Sequence, residues 1–327
     1  MQTPASTRRR LTLLGALAAT LALPLGAAAQ TFPDRPIRLV IPYAAGGSTD
    51  NMARVLQEPL QKALGQPVII ENKAGASGVI AAREVIRSKP DGYTLFFVNN
   101  GNLAVTPAVV KDANYDGIKD FTPIALVSSA AMVAVVPASI PANDIKGFID
   151  YAKANPVAYA SAGVGSFGQL ATELFANRAG LKMTHVPYKG QAPTTTAAVA
   201  GEVQLLITTP SGAMNEFIQQ KRLKLLAVTS PEPSPLAPGT PTIGATLPGY
   251  AAESWFAIIG PAGMPADLVA KLNAAISTAV MAPEIQERFK TFGVVAKTAT
   301  PQKVTQMVAE EVARWTPVIR DNNIRTD

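Results

Sequence analysis

Short apolar runs of strand length alternate with amphipathic helical periods along most of this chain, and glycine marks the changeovers. Residues 37–42 form a β-branched run, followed by the turn Ala44-Ala45-Gly46-Gly47. Ser48 or Thr49 can then cap a helix in which Met52, Val55, Leu56, Leu60 and Leu64 recur at helical spacing before Gly65 stops it. Residues 68–71 read as the next strand. The turn Asn72-Lys73-Ala74-Gly75-Ala76-Ser77-Gly78 leads from it into a helix carrying Val79, Ala82, Val85 and Ile86. Pro90-Asp91-Gly92 ends that helix, and residues 93–98 form a buried strand. Such alternation predicts an α/β fold with largely parallel sheets.

Residues 124–136 are almost wholly apolar, long enough for one strand that passes between two lobes or for two strands. A second set of units follows: a helix over 145–154, a strand near 157–161, the turn Gly163-Val164-Gly165-Ser166, and a helix through Leu170, Leu174 and Phe175 to Gly180. Residues 183–187, 203–208 and 223–229 read as strands, 231–248 as a proline-rich surface loop and 255–260 as a return strand. Helices beginning at Pro265 and at Thr300-Pro301 are expected to pack back on the first lobe. A chain of 327 residues exceeds what one hydrophobic core serves. The expected division is a signal peptide at 1–29, a discontinuous lobe I at 30–127 and 251–327, and lobe II at 128–250. A discontinuous first lobe and an inserted second lobe make a hinged clam with a cleft between the lobes.

Arg8, Arg9 and Arg10, the apolar run 11–25 and the small residues 26–29 have the three-part build of a secretory signal, with cleavage expected after Ala29 and a periplasmic destination. The run falls short of the roughly 20 apolar residues of a spanning helix, which leaves an uncleaved anchor as the lesser alternative. Thr7-Arg8-Arg9-Arg10-Leu11 loosely fits a twin-arginine signal, and the export route stays open. Losing this segment takes three arginines and no acid, so the formal charge falls from +6 to +3. With no like-charge run after Arg10 and few aromatics, no nucleic-acid footprint is visible. Cysteine is absent and His185 is the single histidine, so disulfides, thiolate catalysis and the usual zinc ligand sets are excluded. No spaced acidic loop suggests calcium.

The turns at 44–50 and 163–169 each lie between a predicted strand and a helix start. Unpaired N–H groups and a partial positive charge make such a start a seat for an anion. Two seats facing each other across a cleft would hold a carboxylate from both sides, with Ser48, Thr49 and Ser166 adding hydroxyl donors and glycine allowing close approach. The same residues also fit ordinary glycine turns with hydroxyl caps, and both readings stand at this level. Asp50 would repel a carboxylate if it pointed into the first seat; capping the helix is its expected role, orienting a ligand amine the alternative. Asn99, Asn100 and Asn102 follow one predicted strand, and Thr208, Thr209 and Ser211 another, where ligands of open α/β sheets sit.

Gly163, Gly165 and Gly168 spell the dinucleotide fingerprint, but residues 183–190 carry no acid to hold a ribose, so no cofactor is expected. A serine hydrolase would need His185 as its base, and Val164-Gly165-Ser166-Phe167-Gly168 lacks the leading glycine of the nucleophile elbow. His185 is expected to be structural.

The segment Ile41-Pro42-Tyr43-Ala44-Ala45-Gly46-Gly47-Ser48-Thr49-Asp50 resembles the Bug family, the substrate-binding receptors of tripartite tricarboxylate transporters. The resemblance continues in Glu71-Asn72-Lys73-Ala74-Gly75-Ala76-Ser77-Gly78, Pro90-Asp91-Gly92-Tyr93-Thr94-Leu95, Val186-Pro187-Tyr188-Lys189-Gly190, Leu225-Leu226-Ala227-Val228-Thr229 and Gly260-Pro261-Ala262-Gly263. It implies the two-lobed periplasmic binding protein fold, α/β with a ligand cleft between the lobes, closing around a small carboxylate held partly through water between the two glycine-rich loops and delivering it to a membrane permease; a monomer that is not an enzyme is expected. The candidate ligand set is Tyr43, Ala45, Gly46, Gly47, Ser48, Thr49, Asp50, Asn99, Asn100, Gly163, Gly165, Ser166, Gln169, Thr208 and Thr209. One position departs from the family's second loop: Gln169 stands where a histidine is common. An exported ester or amide hydrolase, and a receptor that signals through a membrane sensor, are the alternatives.

Overall fold

The computed structural model describes residues 32–321 and Ile324; the expected signal peptide and its cleavage site lie outside the described residues. Strands β1 (Ile37–Ile41), β2 (Val68–Asn72), β3 (Thr94–Asn99) and β4 (Phe121–Ala131) open one sheet. The chain then builds a second from β5 (Val133–Pro137), β6 (Ala158–Ser161), β7 (Thr184–Pro187), β8 (Leu205–Thr208) and β9 (Leu223–Val228). It returns to the first through β10 (Glu253–Pro261) and β11 (Val295–Ala296). The orders are β11-β4-β10-β3-β1-β2 and β7-β6-β8-β5-β9.

The α/β class is as expected, but the sheets are mixed. Strands β2-β1-β3 and β7-β6-β8 are parallel, whereas β10 runs antiparallel to β3 and β4, and β5 to β8 and β9. The cause is the path of the chain: β4 and β5 carry it out of the first sheet and β10 brings it back, so each sheet takes on reversed strands. The long apolar run divides into two strands, parted at Met132.

Helices cover both faces of both sheets, which is why a strand such as β5 is buried throughout and reads as a continuous apolar run. Helix Ser48–Leu64 lays a stripe of Met52, Ala53, Leu56, Leu60 and Leu64 on the first sheet and ends at Gly65 with φ 72°, whose N–H donates to the Gln61 carbonyl. Helices Ala266–Val280 and Pro283–Thr291 share that face. Helix Val79–Ile86 and the first half of Pro301–Asp321 cover the other, through Val85, Val304 and Val308. The second sheet has Ile145–Ala154 and Phe167–Ala179 on one face, and Gln191–Ala200 and Gly212–Gln219 on the other.

The C-terminal helix does not stay with the first lobe. Its second half carries Trp315 and Ile319 into the core of the second, where the Trp315 ring meets Phe167 edge-on at 5.4 Å. Beside it the two strand crossings are tied together: Thr229 donates its N–H to the Met132 carbonyl at 2.9 Å, the Met132 N–H returns to Thr229 Oγ1 at 2.9 Å, and Ala252 N–H donates to the Thr229 carbonyl at 2.8 Å. Val105 and Val109, before the first crossing, also pack into the core of the second sheet.

Candidate functional site

The helix start at 48 is built by side chains that reach back. Ser48 and Thr49 were expected to cap it, yet both are inside the helix, and the N-cap position is Gly47, which has no side chain to offer. Asp50 supplies the missing acceptor: its Oδ2 receives the Gly46 N–H at 2.8 Å and Arg54 Nε at 2.8 Å, and its Oδ1 receives Asn72 Nδ2 at 3.0 Å. Burial pushes the Asp50 carboxyl up, but the Arg54 guanidinium, the Gly46 N–H and the Asn72 amide outweigh it and hold the group below the usual carboxylate range. Asp50 therefore shapes the loop as a fixed anion facing away from the ligand space.

Across the cleft, Ser166 caps helix Phe167–Ala179 by accepting the Gln169 N–H at 3.4 Å, and Gln169 Oε1 accepts the Gly165 N–H at 2.7 Å. This is the logic of a capping box, in which the residue three positions on reaches back to an orphan donor. Gln169 thus does a cap's work. Gly165 has φ 79°, and a Cβ there would lie 2.8 Å from Val110 Cγ2. Gly163 has φ 132°, and a Cβ there would lie 2.5 Å from Ser77 Oγ on the opposite lobe. The lobes also meet through Ser77 Oγ donating to the Val164 carbonyl, Thr106 Oγ1 to the Gly165 carbonyl at 3.1 Å, and Ala44 N–H to the Lys189 carbonyl at 3.3 Å.

Between the two helix starts lies a cavity that offers about 40 Å³ to the centre of a water-sized sphere. Eight of the predicted residues line it: Tyr43, Gly47, Ser48, Thr49, Asn99, Ser166, Thr208 and Thr209. Ala45 and Gly46 lie at the surface, Asp50, Gly165 and Gln169 stand behind the wall, and Gly163 faces a neighbouring cavity. Asn100 turns away altogether, donating to the Glu253 carbonyl at 3.1 Å and to Glu311 Oε2 at 3.0 Å. No residue lining this cavity is charged. Tyr43 is held by Asn102, whose Nδ2 donates to its hydroxyl at 3.0 Å, and burial pushes the phenol up to about 12, so it is a neutral hydrogen-bonding group.

Sequence reasoning missed Ser161, Gln191 and Ser254, together with apolar Met132, Phe167, Leu206 and Ile207. Ser161 ends β6 and Ser254 lies in the returning strand, so strand position was the available signal. Gln191 had none: it opens a helix rich in threonine and alanine that the apolar pattern does not mark.

Ser161 Oγ lies 2.6 Å from His185 Nε2, whose ring stacks on Tyr159 at 4.9 Å between centroids. Burial pushes the imidazole down to about 4. The serine is also fixed within its own turn, within 2.9 Å of the Gly163 carbonyl and accepting the Gly163 N–H at 3.2 Å.

The sequence model of the tripartite tricarboxylate transporter family receptor matches residues 52–324. The chain belongs to this family. Among solved members of similar architecture, the periplasmic binding protein BugD is 30% identical with a TM-score of 0.85, covering 90% of this chain and 100% of its own. R. palustris Rpa4515, solved with adipate, is 33% identical with a TM-score of 0.86, covering 90% and 99%. MatC from Rhodopseudomonas palustris, with bound malate, is 32% identical with a TM-score of 0.83, covering 88% and 100%. The receptor family is thus the one its motif blocks pointed to, and its solved members share the two-lobed fold.

Proposed function

We propose that this receptor is exported with cleavage after Ala29, captures a small carboxylate in the cavity between its two glycine-rich loops, and delivers it as a monomer to the permease of a tripartite tricarboxylate transporter. Lobe I (30–127 and 251–327) and lobe II (128–250) act as the jaws, hinged at Met132, Thr229 and Ala252. The observation that carries the reading is the convergence of two helix starts from opposite lobes on one uncharged, hydroxyl-rich and amide-rich cavity. Backbone N–H groups and helix dipoles favour an anion there without any lysine or arginine in the wall. A ligand touching both lobes would stabilise the closed form by its differential affinity for it. The adipate and malate bound by the two similar structures support a dicarboxylate as the first choice.

A thermal-shift screen of residues 30–327, refolded to remove carried ligand, tests this. A dicarboxylate at about 100 times its dissociation constant stabilises the fold by about 2.7 kcal/mol; no shift with any carboxylate would sink the reading. The hydrogen-bonded Ser161 and His185 favour one second reading, a hydrolase using Ser161 as nucleophile. Ligand recovered intact after prolonged incubation speaks for the receptor, and turnover abolished by Ser161→Ala for the enzyme.

A further inference from the structure

Gln191 is a buried polar side chain that the family motifs do not explain, and it occupies the ligand cavity. It is 6% exposed and opens helix Gln191–Ala200 in the second lobe. Its Oε1 accepts the Ser48 N–H of the first lobe at 2.6 Å, and its Nε2 donates to the Thr209 carbonyl. It packs against Gly47, where a Cβ would lie 3.4 Å from Gln191 Cβ, at ordinary van der Waals distance. An amide oxygen therefore sits on a helix-start donor, in the place where an anion would be received, and both ends of the carboxamide are held.

Building on the proposed function, we infer that Gln191 is the ruler of the site: its carboxamide stops the Ser48 end of the cavity and sets the longest dicarboxylate that fits. A ligand carboxylate is then received by the remaining donors, among them the Thr49 and Ser166 region, while its chain ends against the glutamine. Because Gln191 bridges to Ser48 on the other lobe, this stop is complete only when the lobes are together. Methylene discrimination in such a pocket is worth about 10-fold or more per carbon, enough for one side chain to define a chain-length optimum. The ruler works through bulk, so a side chain of the same length without the amide should leave the optimum in place.

The test is calorimetric titration of the refolded mature chain with succinate, glutarate, adipate, pimelate and suberate, comparing wild type, Gln191→Ala and Gln191→Met. Removing the methylene and carboxamide in Gln191→Ala should move the tightest-bound acid to a longer member of the series, with a change of about 10-fold or more in the ratio of affinities for the longer and the original acid. Gln191→Met should keep the wild-type optimum. An unchanged optimum in Gln191→Ala, or a shift in both variants, would overturn the ruler while leaving the receptor reading intact. Failure of the wild type to bind any of the five acids would overturn the ruler, while the receptor reading falls only if the wider carboxylate screen also shows no binding. Circular dichroism of each variant separates lost binding from lost folding, and a Gln191→Ala chain that fails to fold is replaced by Gln191→Ser under the same criteria.

Discussion

Asp50 and His185 show how a residue can stand next to the ligand space and still belong to the scaffold. Asp50 has its charge fully committed to Gly46, Arg54 and Asn72, so the repulsion its position suggests does not arise. His185 is held neutral by burial, its value pushed down from 6.5 to about 4. Between those values the unfolded chain binds a proton that the folded chain refuses, so stability is complete above the upper value and falls as pH drops toward the lower one. The unfolding midpoint of wild type should therefore fall between about pH 7 and pH 4.5 more steeply than that of His185→Gln; equal slopes would show that other groups set the acid response. At this scale the sequence is legible where chemistry and chain position agree. Ser48, Thr49 and Ser166 follow strands at glycine turns, Thr208 ends a strand, and all four lie against the cavity. Gln169 and Asp50 stand at the same turns, where their side-chain oxygens accept backbone N–H groups of the loops. Gln191 was invisible because its role depends on a neighbour 143 positions away.

The C-terminal helix Pro301–Asp321 is the element whose packing changes the most from expectation. Its apolar stripe predicted a helix correctly, but a stripe says which side is buried and not against what. Val304 and Val308 rest on the first sheet, while Trp315 and Ile319 rest on the second, so one rigid rod spans both cores. Trp315 anchors it with a ring wedged at Phe167 and an indole N–H on Glu311 Oε2 at 2.7 Å. Burial pushes the Glu311 carboxyl up, against the Asn100 and Trp315 donors that favour its charge. Trp315→Ala should cost about 3–5 kcal/mol in chemical denaturation, because it opens a cavity in the second core and leaves Glu311 short of a donor. A loss below about 1 kcal/mol would mean that the helix is held by the first sheet alone. Helices Gln191–Ala200 and Gly212–Gln219 escaped notice for a plainer reason: short, threonine-rich or lacking a long apolar stripe, they are helical through their contacts with the second sheet.

For the whole molecule, the proposed function rests on closure of the two lobes around a ligand. Two sheets with their own cores meet along a cleft, linked by the Met132, Thr229 and Ala252 crossing and by the rod of the last helix. Polar contacts between the lobes include Ser77 to Val164, Thr106 to Gly165, Ala44 to Lys189, Gln191 to Ser48 and Asn215 to Thr291, beside apolar packing of Val105 and Val109 in the second core. Neutral hydrogen bonds of this kind contribute about 0.5–1.5 kcal/mol each, the scale on which a ligand that touches both lobes can shift the balance. Two lobes were legible from length and from the alternation of strands and helices; the mixed sheets were not, since strand direction depends on where the chain crosses. In the proposed function the cavity recognises the negative charge of a carboxylate through helix starts and neutral donors. Calorimetric titration of the refolded mature chain with adipate and with its dimethyl ester isolates that charge. Hydrogen bonds to a charged group are worth about 1.5–3 kcal/mol each, so adipate should bind and the ester should bind about 100-fold more weakly or not at all. Equal affinity for the two would contradict it.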